Sequence, residues 1–113
     1  MTRPPLARAL RLVVILDTGV AREAQADLEV LARRAVEGGA TMLQVRAKRE
    51  PAGEVADLTR RIIAAAGGLP VIVNDRLDVA IATGAAGCHL GQDDFPIAEA
   101  VRFAPPSLPR KSW

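Results

Sequence analysis

Three short polar clusters each close an apolar run in this chain: Gln44-Val45-Arg46-Ala47-Lys48, Asn74-Asp75-Arg76 and His89-Leu90-Gly91-Gln92-Asp93-Asp94. In an extended strand, residues two apart share a face, so Gln44, Arg46 and, if the extension continues, Lys48 point into one space. An amide can read ring nitrogens, a guanidinium grips oxygens in pairs, and an ammonium adds a point charge. Together they suit a small molecule with a polar ring and a phosphate. The competing reading is a strand end whose charges merely reach solvent.

Asp75 follows the run Val71-Ile72-Val73, and Asp94 follows Leu90-Gly91, so each carboxylate stands just beyond a predicted strand. Two carboxylates from neighbouring strands, completed by phosphate oxygens and water, make a Mg²⁺ site, because this ion takes a few hard oxygens and keeps several waters. Asn74 beside them could hydrogen-bond a substrate. An Asp after a strand also serves to cap the next helix, and Asp75 stands where it could do that. His89 alternates with apolar neighbours, a pattern that more often marks a packed or hydrogen-bonded core histidine than a site residue. Arg76 and Asp78 read as solvated or paired charges at a helix start, and Cys88 as a small buried residue.

The elements that must position these groups alternate. Strands are predicted over 12–16, 42–46, 71–74 and 87–90, and helices over 22–37, 51–66, 77–83 and 97–103. Leu28, Leu31, Ala32, Ala35 and Val36 recur on one face of the first helix; Val55, Leu58, Ile62, Ile63 and Ala66 do so on the second. Such stripes cover a sheet. Gly38-Gly39, Gly67-Gly68 and Gly84 follow helices where a left-handed residue is wanted, and Pro51 stands where a first turn accepts it. The segments around Gly39-Ala40-Thr41 and Gly84-Ala85-Ala86 echo each other, so the chain reads as a repeating βα unit of the α/β class. Such repeats are either the first four units of a (β/α)₈ barrel, which needs at least roughly 200 residues to close, or a small open sheet.

Composition narrows the partners. The chain has 113 residues, 50% of them apolar and 25% charged, and its aromatics are limited to two Phe and one Trp, too few to stack nucleobases. Fifteen Lys and Arg against 13 Asp and Glu leave a net charge of only +2, mixed along the sequence, so small anions are better partners than nucleic acid. A single cysteine, Cys88, precludes an intrachain disulfide and fits a reducing cytoplasm. No apolar run approaches the ~20 residues of a membrane helix.

The strings Gly39 to Lys48, Val71 to Ala80 and Gly87 to Asp94, in that order and separation, resemble the thiamine phosphate synthase family, and the resemblance runs over 12–103. It implies a (β/α)₈ barrel enzyme that joins a pyrimidine diphosphate to a thiazole phosphate, giving thiamine phosphate and pyrophosphate. Carried over by motif, Gln44, Val45, Arg46, Ala47, Lys48 and Asn74 would hold the pyrimidine diphosphate, and Asp75 and Asp94 would bind Mg²⁺. It also implies that pyrophosphate leaves first and that the thiazole nitrogen captures a pyrimidine carbocation. The alternatives are a thiazole tautomerase-like branch of the same superfamily and a non-catalytic half-barrel. The expected organisation is one partial domain over 1–113, with a divergent tail at 104–113 where the family's fifth strand should begin. A half-barrel with unpaired strand edges is expected to self-associate.

Overall fold

The computed structural model describes residues 6–91. Its elements run α1 (Leu6–Ala9), β1 (Val13–Asp17), α2 (Thr18–Glu23), α3 (Leu28–Glu37), β2 (Met42–Arg46), α4 (Ala52–Ala65), β3 (Val71–Asn74), α5 (Leu77–Thr83) and β4 (Gly87–His89). The helix predicted over 97–103, Asp94 and the tail lie outside the described residues.

The four strands form one parallel sheet in the order β1-β2-β3-β4. Sequential order decides between the two architectures left open by the sequence. An open doubly wound sheet reverses its strand order at a switch point and carries helices on both faces, whereas successive right-handed crossovers in one direction stack their helices on one side. The described residues are therefore three consecutive barrel-type βα units and the strand of a fourth.

Register sorts the side chains onto two faces. Val14, Leu16, Leu43, Val45 and Val71 alternate toward the helices, where they pack with Leu28, Ala32, Ile62 and Ala66. Val73 joins Val55, Ala56, Val79 and Ala80 in a second cluster on the same side. The opposite face carries Met42 and Ile72, covered at the amino end of the strands by Ala9 of α1. Helix α1 is too short and too weakly periodic to be expected from sequence. It is tied down by Thr41, whose hydroxyl donates to the Ala9 carbonyl at 2.7 Å and accepts from the Leu12 amide at 2.8 Å.

The helix predicted over 22–37 is two helices. After α2, the Ala26 amide bonds the Ala21 carbonyl (2.8 Å) and the Gln25 amide bonds that of Arg22 (3.2 Å), with Gln25 left-handed at φ 52°. This pair of bonds is the C-terminal lock that usually recruits glycine, and here a glutamine fills it. Asp27 then caps α3 by accepting from the amides of Glu29 and Val30. The same lock ends α3, where the Ala40 amide bonds Ala35 and Gly39 takes φ 102°. Leu31, expected on the buried stripe, is 38% exposed, because α3 turns Leu28 and Ala32 toward the sheet and leaves Leu31 at the margin. The stripe of α4 packs as expected: Val55, Ile62 and Ala66 are buried, with Leu58 and Ile63 against them.

Candidate active site at the carboxyl ends of the strands

Strand β1 runs one residue further than predicted, to Asp17, and this places a carboxylate among the strand ends. The register pairs Asp17 with Arg46 and Asn74 with His89. Because Gln44 pairs with Ile72, continuing the same register by two residues brings Arg46 beside Asn74. Asp17, Arg46, Asn74 and His89 thus form one row across all four strands, on the face away from the helices. The row beneath consists of Ile15, Gln44, Ile72 and Gly87. In parallel sheets of this kind the carboxyl ends are where the loops converge and chemistry is built.

Each of the six residues expected to hold substrate has a definite place. Gln44 is buried at 8% exposure on the inner face, and Arg46 stands half-exposed above it. Val45 and Ala47 point the other way, into the two helix-side clusters, so any part they take in a site falls to their main-chain groups. The strand ends at Arg46, so Lys48 is not its continuation; it is exposed in the following loop. There it lines a cavity of about 240 Å³ together with Asp17, Thr18, Gly19, Arg22, Glu23, Arg49 and Glu50. Asn74 is the last residue of β3 and partly buried.

Asp75 follows directly, in a left-handed conformation with φ 68°, its amide donating to the His89 carbonyl at 2.8 Å. The N-cap position of α5 belongs to Arg76, which makes no side-chain cap bond, so Asp75 is not that helix's N-cap. A non-glycine residue held at positive φ beside a row of polar strand ends is the kind of strain that clusters at functional sites. Asp94 lies outside the described residues. Among the described residues, no three His, Cys, Asp or Glu side chains come together as a metal site, and Asp75 is the carboxylate at the end of β3.

His89 is exposed at the end of β4, and Cys88 is only partly buried, packing against the second cluster. The expectations of a packed histidine and a buried cysteine both change, because β4 is three residues long and His89 is its last residue. Arg76 and Asp78 do pair, at 3.0 Å; the Arg76 hydrogen bond holds the Asp78 carboxyl below its usual range, and the same bond raises Arg76.

Sequence reasoning missed four residues here: Asp17, Thr18, Arg22 and Glu50. Asp17 accepts from the Gly19 and Val20 amides through Oδ1 and faces Arg46 Nε through Oδ2 at 3.6 Å. Thr18 donates to Glu50 Oε1 at 2.9 Å, and Arg22 Nη2 lies 3.0 Å from Glu50 Oε2. Glu50 is thus the anchor between α2 and the loop that carries Lys48. Burial pulls the Glu50 carboxyl upward, but the Thr18 hydroxyl, the Glu50 and Arg49 amides and Arg22 together outweigh it and leave it below the usual range. The available signal was Asp17-Thr18-Gly19 closing an apolar run in the manner of Asn74-Asp75.

A profile of the thiamine monophosphate synthase family matches residues 12–108. Thiamine-phosphate synthase of Anaeromyxobacter dehalogenans is 52% identical over 84 residues, covering 74% of this chain and 38% of that protein. The enzyme of the same name from Chloroflexus aurantiacus is 46% identical over 100 residues, covering 82% and 43%. The structure of a thiamine phosphate pyrophosphorylase from Pyrococcus furiosus superposes with a TM-score of 0.80 at 34% identity, over 92% of this chain and 50% of that one. The chain spans about half or less of the length of these relatives. A row of polar side chains at the carboxyl ends of barrel-type βα units, with this profile running through it, establishes that the chain belongs to the thiamine monophosphate synthase family.

Proposed function

We propose that this chain supplies the pyrimidine diphosphate half-site of a thiamine phosphate synthase. The substrates are a pyrimidine diphosphate and a thiazole phosphate, and the products are thiamine phosphate and pyrophosphate. The carrying observation is the row of Asp17, Arg46 and Asn74 on one face, whose Asp17 also lines the strand-end cavity that holds Lys48. Arg46 offers paired donors to diphosphate oxygens and Lys48 a mobile charge, so both oppose the negative charge that grows on pyrophosphate as it departs. Gln44, one row below Arg46 on the same face, would hydrogen-bond the pyrimidine ring, and Asn74 would orient it. Val45 and Ala47 contribute main-chain groups while their side chains hold the strand against the helices.

Asp75, with Asp94, would hold Mg²⁺. Hard carboxylate oxygens at a strand end suit that ion, which when bound neutralises diphosphate charge and assists its departure. The tautomerase reading has no diphosphate to bind and gives the Arg46 and Lys48 pair no task. The proposed organisation is a single partial domain over 1–113.

Calorimetric titration of the chain with the pyrimidine diphosphate, with and without Mg²⁺, tests this. Binding that strengthens with Mg²⁺ and weakens in Lys48→Ala is expected. A folded chain that ignores the ligand under both conditions would overturn the proposal.

A further inference from the structure

The carboxylate of Asp17 serves two elements at once. Its Oδ1 accepts from the amides of Gly19 (2.8 Å) and Val20 (3.1 Å), closing the first turn of α2. Its Oδ2 faces Nε of Arg46, its register partner on β2, at 3.6 Å. Capping uses one acceptor oxygen, and asparagine caps as well as aspartate, so the cap alone does not account for a charge at this position. The second oxygen does, because it meets a cation. Contact through Nε leaves the two Nη groups, the ends of the fork that grip phosphate oxygens, for another anion.

Arg46 is 40% exposed, and its side chain has several rotatable bonds whose freedom is lost when it grips a ligand. A tether that fixes those bonds beforehand lowers this cost. The tether is itself fixed, since Asp17 is locked to α2 by its cap bonds.

We infer that Asp17 is a positioning residue for diphosphate binding, acting through Arg46: it holds the guanidinium by Nε and presents the Nη groups to the ligand. The inference rests on the reading of Arg46 as a diphosphate contact. It assigns to Asp17 a role separable from helix capping.

The test is a double-mutant cycle on the full chain with inorganic pyrophosphate and Mg²⁺, comparing wild type, Asp17→Asn, Arg46→Gln and the double variant. Asp17→Asn is expected to melt with the wild type and to bind pyrophosphate roughly threefold more weakly, the scale of a part-exposed ion pair. In the Arg46→Gln background the same change should have no effect on affinity. The Arg46 Nε–H resonance should shift in Asp17→Asn, because the carboxylate that faces it is gone. Should that variant melt early, Asp17→Ser, which also caps, carries the same cycle. Unaltered or tighter binding in the Asp17 variants, an equal loss with and without Arg46, or an unmoved Arg46 resonance would each overturn the inference while leaving diphosphate binding by the wild type intact. A wild type that binds no pyrophosphate would remove the reading of Arg46 itself, and the inference with it.

Discussion

The Thr18 hydroxyl donates to Glu50 Oε1 at 2.9 Å, joining the first turn of α2 to the loop that follows β2. Arg22 closes on the other oxygen of the same carboxylate, and the Arg49 amide donates to Oε1 at 3.3 Å. The Glu50 side chain is only 13% exposed while that of Arg22 is 64% exposed, so the hydroxyl and amide bonds carry the anchor more than the ion pair does. Lys48 stands two residues before it, and the geometry of the strand-end cavity depends on this anchor.

Acid should therefore loosen this corner. Glu50 is held below the usual carboxylate range when folded, so its contribution is present above the unfolded pKa and disappears as pH falls through the folded one. Asp78 acts in the same direction, with a smaller share because its side chain is 63% exposed. Thermal melts between about pH 7 and pH 3 should show stability falling on the acid side, with Glu50→Gln flattening that slope. An identical slope in the variant would remove Glu50 from the account.

Two variants at Asp75 should separate its backbone from its charge. Asparagine tolerates a left-handed residue and alanine does not, so Asp75→Asn should melt close to wild type while Asp75→Ala loses about 1 kcal/mol. Both should lose the Mg²⁺-dependent part of pyrophosphate binding, roughly tenfold or more. Equal Mg²⁺ dependence in wild type and Asp75→Asn would show that the carboxylate holds no metal.

The lock after α2 predicts a stabilising change. Gln25 is left-handed at φ 52°, and Gln25→Gly should relieve its strain by about 0.5 to 1 kcal/mol, or some 4 °C in melting temperature for a chain of this size. Gly39 supplies the opposite case: at φ 102°, with open space where a Cβ would stand, Gly39→Ala should cost about 1 kcal/mol through backbone conformation alone. Calorimetric melts of both variants check the signs.

Self-association should follow from β1, the first strand of the sheet. Ile15 is 52% exposed on the inner face, with Leu10 and Leu12 each 48% exposed just before it. Exposed apolar groups along an outer strand favour pairing with a second copy. Sedimentation velocity across a concentration series should show growth in mean mass, reduced in Ile15→Lys. A monomer at every concentration would remove this expectation.

The sequence by itself determined the four strands, α4 and α5, and the polar clusters that end β2 and β3. The boundaries of β2, β3 and α5 were legible because apolar runs there meet Gly, Asn or an amphipathic stripe, which are local signals. The shared face of Gln44 and Arg46 was legible for the same reason, since alternation within a strand fixes it, whereas Lys48, expected to continue it, lies beyond the strand end. What only the tertiary structure decided is non-local. The break between α2 and α3 was hidden by Gln25 in a place that usually holds glycine, and Asp17 gained its meaning only when β1 paired with β2 and set it opposite Arg46. Likewise Thr18 and Glu50, 32 residues apart, meet because the parallel crossover returns β2 alongside β1. Spacing along a chain carries the period of one element; which elements become neighbours is set by burial of their shared apolar face, and that is a property of the assembled sheet.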